Sequence, residues 1–346
     1  MWPLPFRPHF VKQERVPPRS PRIVAVGDLN AADDALEEIL RGTKLVNRKL
    51  EWIGGGAELV QLGDIFNRGD GATRALALLL RLRREARNSG GRVTVLLGNH
   101  EAMTALRHEG YCTEGEYLAF ATAAERRAWP ARVQRALRRL VRQRARGVLL
   151  PIEPRLEAWK IEHVPGRTAL RRALAAHGKL GRALRALPVA HVSQGLLFVH
   201  AGLLPAWARL GLEGLDRAAR QQWAEGSRGL WTLPKTGLFR SSSGPLWDRS
   251  LVRGGVEARR ALTQSLALVG AERMIVGHTQ TASLAGGREG RIHVQAAGRL
   301  VSIDVGLASG PGAPRAALVL EGGAGYEWTP LGMRRLWDAP RARTPR

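Results

Sequence analysis

Cysteine occurs once in 346 residues, at Cys112. That excludes an intrachain disulfide framework and any cysteine-rich zinc module. Long apolar runs are also missing. The longest, Ala75 to Leu80, is about a third of the eighteen or so residues that a membrane helix needs, so no membrane span is expected. The first residues, MWPLPFRPHF, show no basic region leading into an apolar stretch. No secretory signal is expected, and a cytoplasmic location is. Lysine is scarce: of 54 basic residues, 48 are arginine and 6 are lysine. Acidic residues number only 30, which leaves a formal net charge of +24. Such a charge fits an anionic partner, or the Arg- and Ala-rich codon usage of a GC-rich genome. No RNP motif, zinc finger or Lys-rich arm accompanies it, so nucleic acid is not an expected partner.

Apolar residues make up 44% of the chain, enough for a sizeable core. The length allows one large domain or two ordinary ones. Residues 1–20 hold five prolines and no periodic pattern, and read as an extended arm. The main domain is expected over 21–330, with a frayed tail over 331–346. Short apolar runs alternate with helical patterns: IVAV (23–26), a helix from Ala31 to Arg41, ELVQL (58–62), a helix from Thr73 to Arg87, then VTVLL (93–97). That alternation argues for a layered α/β fold. From about 105 to 187 the pattern is helical instead. Trp129, Val133, Leu137, Leu140 and Val141 fall at helical spacing, and Pro130 suits a first helical turn. This helical insertion carries +11 of the net charge and is expected to form a lid that attracts anionic substrates. Strand signals return at LLFV (196–199), MIV (274–276), LVSIDV (300–305) and AALVLE (316–321).

The informative positions stand at the ends of the strands. IVAV runs into Gly27-Asp28-Leu29-Asn30, LVQL into Gly63-Asp64, and VTVLL into Gly98-Asn99-His100-Glu101. LLFV runs into His200-Ala201-Gly202, and MIV into Gly277-His278-Thr279. Ligands of open α/β sheets bind beyond the carboxyl ends of the strands. Carboxylates, amide oxygens and imidazoles delivered there, with no thiolate, suit Mn, Fe or Zn. Two such cations can clamp a phosphate and activate water between them. Taken singly, a Gly-Asp is a turn and a lone His a core residue. Five in this order are hard to explain as turns.

This order resembles the calcineurin-like metallophosphoesterase superfamily, in particular its phosphoprotein-phosphatase branch and the bacterial Shewanella-like phosphatases. Their pattern is GDxH, GDxxDRG, GNHE, HAG or HGG, and GHT. The second motif stands here as Gly63-Asp64-Ile65-Phe66-Asn67-Arg68-Gly69. Gly244-Pro245-Leu246-Trp247-Asp248-Arg249 is similar to that subgroup's GPLWxR, and Glu116 to Phe120 to its segment after GNHE. The resemblance covers roughly residues 22–306 with gaps. It implies a four-layer α/β/β/α sandwich and two divalent metal ions, manganese favoured. It implies hydrolysis of a phosphomonoester, on a phosphorylated protein or another anionic phosphate ester, with a hydroxide between the metals attacking phosphorus. On this resemblance Asp28, Asn30 and Asp64 fall at the first metal, Asp64 bridging. Asn99, His200 and His278 fall at the second. His100 matches the proton donor to the leaving group and Arg68 a phosphate clamp. Arg249 is either a second clamp or a simple ion pair.

Two positions depart from the family. Asn30 replaces an imidazole ligand, and Asn67 replaces the Asp that orients His100 and stabilises its protonated form. An amide ligates these metals more weakly and cannot hold imidazolium charge equally well, and it is expected to favour the wrong tautomer. The readings left open are a slow or altered phosphatase, a phosphate-binding pseudoenzyme, or a change introduced to disable the enzyme. A diadenosine-tetraphosphate-type nucleotide hydrolase is a further alternative. Asp304 reads either as a partner of a metal-binding His or as a turn. His108 and His163 read as surface or packing residues.

Overall fold

The computed structural model describes residues 21–146, 150–308, 310 and 312–339, so the arm at 1–20 lies outside the described residues. The apolar runs form short strands: β1 (Ile23–Val26), β2 (Glu58–Gln61), β3 (Arg92–Val95), β4 (Ala190–Ser193), β5 (Leu196–Val199) and β6 (Arg273–Val276). They continue with β7 (His293–Gln295), β8 (Leu300–Ser302), β9 (Ala317–Glu321), β10 (Ala324–Thr329) and β11 (Gly332–Trp337). One sheet has the order β11-β10-β9-β1-β2-β3, the other β4-β5-β6-β8-β7. Within them β1-β2-β3 and β5-β6-β8 pair in parallel. Every residue of β1, β2 and β5 is buried, as expected of parallel strands covered on both faces. This is the α/β class with two sheets and flanking helices that the motifs imply.

The sheets are tied by polar contacts that a sequence pattern does not show. Glu58 on β2 accepts from Ser193 on β4 at 2.6 Å and lies 2.7 Å from His191 Nε2. Burial would lift its carboxyl, but these two partners hold it below the ordinary range. The parallel registers bring the carboxyl ends of β1, β2, β3, β5, β6 and β8 to one side of the molecule.

The structure differs from the sequence reading in two places. A capping box between Thr122 and Glu125 starts the insertion's long helix at Ala123, and it runs to Ala145. Pro130 therefore sits inside it, where it frees the Arg126 carbonyl from its helical partner. The expected tail is also partly ordered, since Gly332–Trp337 pairs with β10. Its exposed GMRRLW pattern hides the reason. Arg334 donates to the buried Glu327 of β10 at 2.9 Å, and Arg273 lies 5.0 Å from the Trp337 ring.

Candidate metal centre

The loop after β1 is laced to the loop after β2. Leu29 and Asn30 donate backbone N–H bonds to the Asp64 carbonyl at 3.0 and 2.7 Å, and Ala31 donates to the Ile65 carbonyl at 2.8 Å. Glu101 organises the next junction. Its buried carboxylate accepts from the backbone N–H groups of Asp64, Ile65, Phe66 and Gly98 at 2.7–3.2 Å. Such lacing supports unusual backbone. Asn30, Ala31, Asp64, Asn67, Arg68 and His278 all have φ between 44° and 72°. They are half of the twelve non-glycine residues with positive φ among the described residues. Strain of this kind persists only where surrounding structure holds it, and it concentrates at functional sites. Two glycines are required for approach rather than for φ. A Cβ at Gly98 or Gly277 would run into the carboxylate of Asp64 or Asp28.

These loops enclose a cavity of about 260 Å³. Its lining includes Asp28, Asn30, Asp64, Arg68, Asn99, His100, Arg249, His278 and Asp304, with His200 fully buried behind it. All ten site residues singled out from the sequence thus converge, Asn67 standing behind His100. Each aspartate is aimed by the next motif. Asp28 Oδ1 accepts from His278 N and Asp64 Oδ1 from His100 N, both at 2.9 Å. Asp28, Asp64 and Asp304 crowd together. Burial, with repulsion from neighbouring carboxylates, lifts Asp28 and Asp64 well above the ordinary range, and burial lifts Asp304 to about 6.

The donor set fits a cation. His200 Nδ1 lies 2.8 Å from the Leu62 carbonyl and donates to it, so Nε2 turns its lone pair toward Asn99 Oδ1, also 2.8 Å away. Burial pushes the His200 imidazole down to about 4, so no proton separates these two acceptors at neutral pH. His278 Nε2 and Asn30 Oδ1 are buried without a hydrogen-bond partner. Donor atoms of Asp64, His200 and His278 all lie within 4.8 Å of one another. Bare acceptors turned on one another beside paired carboxylates are stabilised by a positive charge. The 3.4 Å approach of His200 to Asp64 is therefore not an ion pair.

His100 Nε2 lies 3.7 Å from Asp64 Oδ2. Burial first, then Arg68 and His200, hold its imidazole down to about 3. Its Nδ1 lies 2.8 Å from Asn67 Oδ1. The amide orientation is set by its other contacts. Thr104 Oγ1 donates to Asn67 Oδ1 at 3.1 Å, while Asn67 Nδ2 donates to Glu116 Oε2 at 3.2 Å. The oxygen thus faces His100 and accepts its Nδ1 proton. This corrects the expectation of a wrong tautomer, because the amide imposes the one that an Asp would. Glu116 is the residue that sequence reasoning missed. It is buried, takes both the side-chain and backbone N–H of Asn67, and is lifted above the ordinary range by burial. Only its place in the segment after GNHE signalled it.

Arg249 donates to Thr279 Oγ1 at 3.0 Å and to the His278 carbonyl at 3.3 Å, and no ion pair holds it among the described residues. The ion-pair alternative therefore fails, and its guanidinium lines the cavity. Arg68 lines it too, its loop held by Arg68 N donating to the Tyr111 carbonyl at 3.2 Å. Among the described residues, the insertion's contributions to the lining are Tyr111 and His108 at its start, and none comes from its long helices. Cys112 is pushed up to about 12 by burial and by Glu116, so it is no thiolate nucleophile. His163 stacks on Trp159 with ring centroids 4.6 Å apart, the packing role expected of it.

Comparison with known proteins agrees with this geometry. Shewanella-like protein phosphatase 2 of Arabidopsis thaliana is 28% identical over 294 residues, spanning 84% of this chain and 72% of that protein. Shewanella-like protein phosphatase 1 of Plasmodium berghei is 34% identical over 99 residues, 29% of this chain and 27% of that protein. The crystal structure of a cold-active protein-tyrosine phosphatase from a psychrophilic Shewanella species superposes with a TM-score of 0.65. It is 21% identical, over 92% of this chain and 80% of that one, which bears on the fold. No helix among the described residues is long and apolar enough to cross a membrane. The calcineurin-like phosphoesterase family model matches residues 21–279, from the first strand through Gly277-His278-Thr279. That span contains all five strand-end motifs, and the chain belongs to this family as a metal-dependent phosphatase.

Proposed function

We propose that the protein is a phosphoprotein phosphatase in which Asp28, Asn30, Asp64, Asn99, His200 and His278 hold two divalent ions. The observation that carries this is the pair of facing acceptors, His200 Nε2 and Asn99 Oδ1, beside the unpartnered His278 Nε2. Bound there, divalent ions supply Lewis acidity toward phosphoryl oxygens and activation of the attacking water. The mixed oxygen and imidazole set suits manganese, and the lone thiol suits the cytoplasm. Arg68 and Arg249 grip the phosphoryl oxygens from two sides, Arg68 as a planar fork. Asn67 and Thr104 hold the ring of His100 so that Nε2 faces the leaving group. An imidazole held as low as His100 carries little proton at neutral pH. Esters whose leaving group departs without one, aryl phosphates such as phosphotyrosine, are therefore favoured over phosphoserine.

The test is turnover of phosphotyrosine and phosphoserine peptides and of diadenosine tetraphosphate, side by side in manganese. The reading expects the phosphotyrosine peptide to lead. Faster cleavage of the dinucleotide would replace it with a nucleotide hydrolase. The two ions should also bind unequally. One set keeps Asn99, His200 and His278, while the other has Asn30 in place of imidazole. Metal titration followed by calorimetry should resolve a tight and a weak site, and Asn30→His should strengthen the weak one. Two equal sites in the parent would contradict the role given to Asn30.

A further inference from the structure

A second cavity, of about 920 Å³, opens beside the metal pocket. Met103, Tyr111, Trp247 and Arg249 line both, so the two are continuous. One wall is a line of rings leading away from the catalytic pocket. Tyr111 lies 5.2 Å from the His100 ring, His108 lies 6.1 Å from Tyr111, and Trp231 lies 5.0 Å from His108. Trp231 is 64% exposed, yet it is fixed in place. His108 meets it edge-on, Arg240 sits 4.8 Å over its ring, and the same guanidinium donates to the Trp231 and Leu233 carbonyls. An exposed aromatic already immobilised loses little entropy on binding, the usual property of an anchor.

The rim is cationic. Lys235, Arg240 and Arg253 line the groove. Its only carboxylate among the described residues, Asp248, is buried and accepts from the Ser250 hydroxyl at 2.6 Å and from the backbone N–H groups of Ser250 and Leu251. Among the described residues neither Lys235 nor Arg253 makes an ion pair. We propose that this groove seats the peptide flanking the phosphorylated residue and selects segments that carry Asp or Glu there. The proposal rests on the phosphoprotein reading above and adds its substrate class. The charge of the wall favours acidic residues, and the fixed rings give their backbone and aliphatic stems a surface to lie on.

The experiment uses the full chain in manganese and matched phosphopeptides with acidic, neutral or lysine flanks, with p-nitrophenyl phosphate as a substrate too small to reach the groove. The parent should prefer the acidic over the lysine-flanked peptide by on the order of ten-fold in kcat/KM, as expected for a few exposed pairs. That preference should shrink with salt, since exposed charges are screened over about 8–10 Å. Lys235→Glu/Arg253→Glu should abolish it while leaving p-nitrophenyl phosphate turnover unchanged. Anisotropy of labelled peptides reads the same order as Kd without turnover. Equal kcat/KM and equal Kd for all flanks would overturn the groove proposal. Loss of all turnover with the order of Kd kept would overturn the phosphatase reading instead. Cleavage of diadenosine tetraphosphate that falls in the charge-reversal variant, with no discrimination among peptides, would assign the groove to nucleotides.

Discussion

An Asn67→Asp variant is expected to be less stable than the parent, and an Asn67→Asp/Glu116→Gln variant more active on alkyl phosphates than either. The family's Asp at this position cannot simply be restored, because Glu116 Oε2 already stands 3.2 Å from Asn67 Nδ2 in a buried setting. Two carboxylates there cannot both ionise without cost, so one is driven to take up a proton. Glu116 is already above its ordinary value in the parent, and a second anion raises it further. A carboxyl raised on folding binds a proton in the native state. Its contribution is present at low pH and is lost as pH rises through the raised value. Denaturant unfolding should therefore show Asn67→Asp weakening as pH rises, by about 3–5 kcal/mol when both groups are ionised. The double variant moves the anion next to His100 and leaves an amide at 116, which removes the clash. Its His100 should hold a proton better, and phosphoserine turnover should rise toward the roughly 10²-fold at the lower end of what general acids contribute. Aryl phosphate turnover should change far less. Equal gains on both substrates would mean that Asn67 works by positioning alone.

The second large effect concerns Arg68, and its signature is the opposite one. The guanidinium lines the cavity, and as a clamp it acts on the phosphoryl oxygens whatever alcohol departs. Arg68→Ala should lower kcat by about 10²- to 10³-fold on alkyl and aryl phosphates alike, the scale of removing one donor to developing charge. Arg68→Lys should recover only part, since an ammonium lacks the planar fork. Steady-state kinetics on phosphoserine and p-nitrophenyl phosphate separates this from an effect through His100. A loss confined to alkyl esters would place Arg68 with the proton transfer instead.

The site was legible because its information is local. Each candidate ligand follows an apolar run that forms a strand at least half buried, and short loops carry it to one side of the molecule. What escaped is what tertiary contact creates. Asn67 taken alone is a missing anion; beside Glu116 and Thr104 it is an oriented amide. Trp231 and Arg240 are nine residues apart with no periodicity between them, and only the fold puts one over the other. Polar edge strands were lost for a related reason. AHVS and HVQ alternate over too few residues to stand out and GMRRLW does not alternate, and such strands are held by contacts such as Glu58 with Ser193 and Glu327 with Arg334. Pro130 reads as a first-turn residue from the sequence alone, but Thr122 and Glu125, eight and five residues before it, form the capping box that starts the helix.

The central claim is that the convergent acceptors around Asp64 hold the ions that make this chain a phosphatase. Its most direct test is hydrolysis of p-nitrophenyl phosphate by chelated protein as manganese is titrated back, with bound metal counted in the same samples. Turnover should be absent without metal, rise as the sites fill, and be missing from Asp64→Asn at every manganese concentration. Hydrolysis that persists with no bound metal, or full occupancy of both sites without turnover, would contradict the account.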